Sequence, residues 1–262
     1  MKKLEITHHA EARIPNDEGE FILHLFRSNI DSKDHLALVS GDISQQENVL
    51  TRIHSECFTG DVLGSHRCDC HAQLHMGMDK ISKRSTGILI YLRQEGRGIG
   101  LLNKLKTYEL QDEGHDTVDA NLKIGREADE RSYEIAAQIL KHFNVHSVEL
   151  LTNNPEKVSG LEDEGILVSK RIDIHAPVTE TNHAYLRTKM ERMNHELSIN
   201  ESFQQTAHPE VDSILEDFSA LLNRKLSENP NSPVVSLSFA QSLDGSIASE
   251  NGTTTLISGR RS

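Results

Sequence analysis

Gly87-Ile-Leu-Ile-Tyr-Leu-Arg-Gln-Glu-Gly-Arg-Gly-Ile-Gly100 is the stretch on which the fold turns. Its first six residues are apolar and β-rich, the pattern of a strand buried on both faces. Three alternating glycines follow, Gly96, Gly98 and Gly100. Beyond them Leu101, Leu102, Leu105, Tyr108 and Leu110 recur at helical spacing. A buried strand that enters a helix through a glycine loop belongs to an α/β or α+β domain. Glycine lets backbone N–H groups approach a ligand, and a helix N-terminus favours anions. The loop therefore reads either as a phosphate cradle or as a tight strand-to-helix turn. Arg93 and Arg97 weigh toward phosphate, because they add charged donors at the same place. Neither a Walker A loop nor a Gly-x-Gly-x-x-Gly fingerprint is present.

Working outward, residues 20–26, 35–39 and 147–151 read as strands, and 131–143 reads as a helix with Ile135, Ala136, Ile139, Leu140 and Phe143 on one face. The expected fold class is α/β (α+β), a mixed sheet with flanking helices plus an incomplete C-terminal appendage. Residues 199–233 read as a polar linker with an amphipathic helix starting near Pro209. Val234 to Phe239 alternates as a strand does, and the segment from 234 to 262 is too short for a core of its own.

The 262 residues carry 28 Lys plus Arg against 40 Asp plus Glu, a net charge of −12. Such a chain has no global attraction to nucleic acid polymers. The longest apolar run, residues 88–92, is far short of the roughly 20 residues of a membrane helix. Glu5 and two His stand where a secretion signal would be apolar. A cytoplasmic location is expected.

The three cysteines, Cys57, Cys68 and Cys70, fall within fourteen residues. They read either as small buried hydrophobes or as thiolate ligands of zinc. Three thiolates plus water would make an open, catalytic site. His54, His66, His71 and His75 keep a closed Cys₃His site in view, only slightly behind the open one. Asp129-Glu130-Arg131 reads as helix-end acids or as part of a polar pocket, and Thr152-Asn-Asn-Pro-Glu-Lys157 as a turn or as a clamp at a sheet edge.

Taken in order, the motifs resemble one family. They are Arg52-Ile-His-Ser-Glu-Cys-Phe-Thr-Gly-Asp61, Arg67-Cys-Asp-Cys70 with Gln73, the run from Arg93 to Lys104, Tyr108 to Gly114, Asp116 to Asn121, Ala128-Asp-Glu-Arg131, Leu151-Thr-Asn-Asn-Pro155 and Tyr185 to Met193. The chain resembles GTP cyclohydrolase II, whose reaction opens riboflavin biosynthesis, over roughly residues 5–197. The resemblance implies a domain over 1–198 that hydrolyses GTP to a diaminopyrimidinone ribosylamino phosphate, formate and pyrophosphate. It implies that Cys57, Cys68 and Cys70 hold a catalytic Zn²⁺, whose water attacks C8 of guanine, and that Mg²⁺ accompanies the triphosphate. Arg131 matches the family's nucleophile toward the α-phosphate, Asp129 its proton acceptor, and Tyr108 a tyrosine of ring opening. Arg52, His54, Ser55, Glu56, Gln73, Glu95, Gly96, Arg97, Thr117, Thr152 and Lys157 match its GTP-binding positions. A homodimer is the family's usual state.

Two departures stand out. His71 occupies a position that is usually Gly, where it could crowd the metal loop. Residues 234–262 resemble the opening of the riboflavin-pathway reductase domain, so an incomplete reductase without activity is expected there. The alternative to an enzyme is a non-catalytic, zinc-stabilised guanine-nucleotide-binding or regulatory protein.

Overall fold

The computed structural model describes residues 3–115, 117–127, 129–179 and 182–193, together with the short ladder of Ile247–Ala248 on Thr254–Thr255. The linker, the helix near Pro209 and the strand at 234–239 lie outside the described residues. The chain divides into two units, Met1–Gln205 and Thr206–Ser262.

The first unit is built on a seven-stranded mixed sheet. Its strands are β1 (Ile6–Asn16), β2 (Gly19–Ser28), β3 (His35–Ser40), β4 (Val49–Ser55), β5 (Gly87–Leu92), β6 (Ser147–Leu151) and β7 (Leu167–Ile172). Their spatial order is β1-β2-β3-β5-β4-β6-β7. Strands β1, β2, β3 and β5 pair antiparallel, whereas β5, β4, β6 and β7 pair parallel. The parallel half needs crossover helices, and these cover both faces. Helix α1 (Phe58–Asp61) and α2 (Cys70–Arg84) follow β4. Helices α3 (Leu101–Asp112) and α4 (Thr117–Lys123) follow β5. Helix α5 (Glu134–His142) precedes β6, α6 (Pro155–Glu162) follows it, and α7 (His183–Met193) comes last.

Two apolar layers fix the sheet. On one face Ile135, Ile139 and Leu140 of α5 and Leu161 of α6 pack on Phe26, Ile53, Ile88, Ile90, Val148 and Leu150. On the other, Met78 and Ile81 of α2 pack on Phe21, Leu50, Leu89 and Leu151. The α2 layer closes tightly at Gly77, where an added Cβ would stand 3.2 Å from Arg52 Cγ. Among the described residues no helix is long and apolar enough to cross a membrane. The carboxyl ends of the parallel strands open on one side of the sheet, which is where an α/β fold places its ligands.

Candidate active site

Strand β4 is buried along almost its whole length, yet it carries Arg52 and His54. Polar side chains inside a layer must be satisfied, and their partners define the site. Arg52 Nη1 donates to the Leu151 carbonyl at 2.8 Å and Nη2 to Gln73 Oε1 at 2.6 Å. Its Nε has no partner among the described residues. Burial pulls the Arg52 pKa down to about 10, against the attraction of Asp69. His54 stacks on Tyr91, and its Nε2 lies 3.0 Å from Asp61 Oδ1. Burial lowers its pKa despite that carboxylate, so the ring is neutral with Nε2–H donating to Asp61. The same Asp61 accepts from Cys57 N at 2.9 Å and from the Tyr91 hydroxyl at 2.8 Å. One carboxylate thus pins the turn from β4 into α1.

That turn delivers Cys57, and the start of α2 delivers Cys68 and Cys70. Cys57 Sγ lies 3.7 Å from Cys68 Sγ, and all three sulfurs lie within 4.8 Å of one another. Gly60 admits this approach, since a Cβ there would stand 2.9 Å from Cys68 Sγ and 3.1 Å from Cys57 Sγ. Lys104 Nζ donates to Cys57 Sγ at 3.0 Å and to Glu95 Oε1 at 2.8 Å. Hydrogen bonds from the Cys68 and Cys70 thiols, with Lys104 beside them, pull the Cys57 pKa down. The resulting thiolate pushes Cys68 up to about 11, and Cys70 is raised as well. Three sulfurs this close, one of them held toward the thiolate by Lys104, suit a divalent cation, whose binding would release the remaining thiol protons. No histidine joins them among the described residues. His71 is exposed and its ring lies 4.3 Å from that of His75, so it does not crowd the thiols.

The glycine loop forms the next wall. Glu95–Gly98 is a short 3₁₀ turn in which Gly96 and Arg97 both have φ of 62°. A left-handed arginine is uncommon, and the turn aims its side chain inward. Both Nη atoms of Arg97 are buried without a hydrogen-bond partner among the described residues. At Gly98 an added Cβ would stand 2.9 Å from the Glu130 carbonyl oxygen, and Glu130 N donates to the Arg97 carbonyl at 3.0 Å. The loop therefore docks against the segment that carries Arg131. There Arg131 Nε lies 2.8 Å and 3.0 Å from the two Asp129 oxygens, and Nη2 also donates to Asp129. Burial works against the Arg131 charge, but Tyr133 and the Asp129 fork outweigh it and raise the pKa.

Opposite stand Lys157 of α6 and Lys189 of α7. Lys157 Nζ donates to the Ile53 carbonyl at 2.7 Å. Burial, then repulsion from Arg52, Arg131 and Lys189, lowers its pKa well below the ordinary lysine range. Lys189 Nζ donates to Asp69 Oδ1 at 2.7 Å, between two of the cysteines, and lies 4.6 Å from the Tyr185 ring centroid.

These groups line one cleft of about 900 Å³, part of it open to solvent. Arg52, His54, Ser55, Glu56, Cys57, Cys68, Cys70, Gln73, Glu95, Gly96, Arg97, Tyr108, Arg131 and Lys157 all reach its wall. Tyr108 OH lies 3.3 Å from Thr59 Oγ1, and burial raises its pKa. Two expected residues, Asp129 and Thr152, do not line the cleft among the described residues. Asp129 stands behind Arg131 as its clamp. Thr152 is buried at the end of β6, where its hydroxyl accepts from Asn154 N at 3.0 Å and shapes the turn into α6. Thr117 opens α4, and its side chain lies outside the described residues. Lys104, Tyr185 and Lys189 also line the wall, although sequence reading assigned them no role. All three sit inside the quoted motifs, and the signal that could have found them is a lysine or tyrosine at helical spacing beside a charged loop.

Comparison with known proteins follows the same outline. The family model for GTP cyclohydrolase II matches residues 7–173. A GTP cyclohydrolase-2 of Picrophilus torridus is 51% identical over 190 residues, covering 72% of this chain and 98% of that protein. A riboflavin biosynthesis protein RibBA of Bacillus cereus is 51% identical over 194 residues, covering 74% of this chain. The RibBA of Bacillus mycoides is 50% identical over 194 residues. The chain spans about half, 49%, of these RibBA relatives.

Proposed function

This chain belongs to the GTP cyclohydrolase II family, and from that premise we propose that it hydrolyses GTP to 2,5-diamino-6-(5-phosphoribosylamino)pyrimidin-4(3H)-one, formate and pyrophosphate. That reaction is the first step of riboflavin biosynthesis. One observation carries the reading. Two buried cations that form no ion pair among the described residues, Arg97 and the repelled Lys157, converge with Arg52, whose Nε has no partner there, on the cleft that also holds three thiols. A triphosphate supplies the missing negative charge, and a guanine ring fills the space toward the sulfurs.

Cys57, Cys68 and Cys70 would hold Zn²⁺, which when bound supplies a water ionised near neutral pH. The chain's own residues do the rest. Arg97 and Lys157 grip the phosphates, Arg97 through its two free Nη atoms. Arg131 would meet the α-phosphate as the nucleophile: an N–P bond forms as the bond from the α-phosphorus to the pyrophosphate oxygen breaks, and water later cleaves the N–P bond to restore the arginine. Its resting state is the guanidinium, so attack first passes a proton to Asp129, whose oxygens already accept from Nε–H and Nη2–H. Lys104 holds Cys57 and Glu95 in place. Glu95 is fully engaged, accepting from Phe58 N and Gly96 N as well. That leaves Glu56, whose Oε1 lies 2.9 Å from Arg93 Nε, as the carboxylate for the guanine N–H edge. Tyr108 stands beside the sulfurs with a protonated hydroxyl, suited to donate during ring opening.

Mg²⁺ on the triphosphate, a cytoplasmic setting and a homodimer complete the proposal. Val62, Leu63, Leu102 and Leu105 are exposed along α1 and α3, apolar surface that a second copy would cover. Incubating zinc-loaded protein with GTP and Mg²⁺ is expected to release formate and pyrophosphate together. Tight GTP binding without either product would favour the binding-protein alternative and refute the enzyme.

A further inference from the structure

We propose that His8, Glu11 and His24 form a second transition-metal site, for a divalent ion of the zinc class, on the β1–β2 hairpin and built from none of the cysteine-site residues. The backbone makes the site. In an unbroken strand His8 and Glu11, three residues apart, would point to opposite faces. Here the register steps from His8 opposite Phe26 to Ala10 opposite Leu25, leaving His9 as the extra residue of a bulge. The bulge returns His8 and Glu11 to one face, and Glu11 then stands directly opposite His24.

The ligand atoms converge accordingly. His24 Nδ1 lies 3.2 Å from His8 Nε2 and 3.2 Å from Glu11 Oε2, and His8 Nε2 lies 3.9 Å from Glu11 Oε2. A tetrahedral ion with bonds of about 2.0–2.2 Å separates its ligand atoms by about 3.3–3.6 Å, which this triangle brackets. A single proton on His24 Nδ1 serves one of its two neighbours at a time, whereas a cation serves all three lone pairs at once. Two imidazoles and a carboxylate are a ligand set that suits zinc and its neighbours.

The surroundings hold the rings in place. His24 is buried, with Phe143 edge-on at 5.0 Å, and His142 of α5 lies 5.5 Å from the His8 ring. His142 is within reach as a fourth ligand after a ring rotation. A bound ion would tie the exposed edge strand β1 to β2 and, through His142, to α5.

The test is a metal count on the full chain. Protein equilibrated with free Zn²⁺ at micromolar concentration is expected to hold one ion more per chain than either His8→Gln or Glu11→Gln. Both positions are partly or largely exposed, so both variants retain the fold. Formate release is expected to be the same in all three proteins, and added Zn²⁺ is expected to raise the melting temperature of the wild type more than that of either variant, which keep the cysteine site. A zinc count that either substitution leaves unchanged overturns the site. So does a wild-type melting temperature indifferent to Zn²⁺. Because the comparison is a difference between proteins with the same cysteines, its failure is separable from any failure of the cysteine site.

Discussion

The two walls of the cleft are built by opposite means. The thiol wall is local: Cys57, Cys68 and Cys70 come from one strand end and one helix start, and Gly60 brings them together. The cation wall is assembled at long range. Arg52, Arg97, Arg131, Lys157 and Lys189 come from β4, the glycine loop, the entry to α5, α6 and α7. A local cluster can be seen as spacing along the chain. A dispersed one is hidden, all the more in a chain of net charge −12. The walls also differ in how their groups are paired. The sulfurs crowd three thiol groups together, whereas in the cation wall Arg131 and Lys189 have carboxylate partners and Arg97 and Lys157 form no ion pair among the described residues. If the reading is correct, damage to one wall leaves the other's ligand in place.

The sharpest way to break that separation is Cys68→Ser. It is expected to lose zinc and bring formate release to background, and retained zinc with normal turnover would remove Cys68 from the ligand set. Arg131→Ala probes the other wall. Turnover should fall by at least about 10²–10³-fold, the usual loss for a transition-state contact, with zinc content unchanged. Arg131→Lys refines the result: recovered pyrophosphate release would mean that a basic nitrogen at this position suffices and that the guanidinium itself is not required.

Lys157 offers a smaller and pH-dependent effect. Removing one charged contact costs about 1.5–3 kcal/mol, so Lys157→Met is expected to raise KM for GTP by about 10–100-fold with less change in kcat. The sign with pH follows from the lowered pKa. The ammonium exists only below that value, so its grip on phosphate is complete at lower pH and fades as pH rises through it. A KM that climbs toward alkaline pH in the wild type and stays flatter in Lys157→Arg would confirm the assignment. The smallest effect belongs to His71→Ala. The side chain is exposed and turned toward His75, so zinc content should not change and stability should move by no more than about 0.5 kcal/mol.

Legibility followed the same division. Strands at 20–26, 35–39, 87–92 and 147–151 and the helices around 101–110 and 131–143 were readable because each has a clear apolar period. Strand β4 was not, since Arg52 and His54 interrupt its apolar run for the sake of the site. Strand β1 was not, because it lies at the sheet edge and is largely exposed, with no apolar alternation to detect. In the site, the motifs located every described residue of the thiol wall. Thr152 and Asp129 fell one layer behind the surface because sequence adjacency does not say which side chain faces the cleft. Lys104 and Lys189 escaped for the reverse reason: each is a lone lysine on a helix until the fold sets it against Cys57 or Asp69.

The crowding around Lys157 has a consequence for the protein's lifetime. Like charges held together in a buried wall are a debit against folding, and a bound polyanion cancels it. Whatever binds the folded form alone shifts the balance away from the unfolded chain. Occupied molecules should therefore outlast vacant ones under heat or protease. In a cell, the standing amount of this protein would then follow the supply of its own ligand, with no separate regulator.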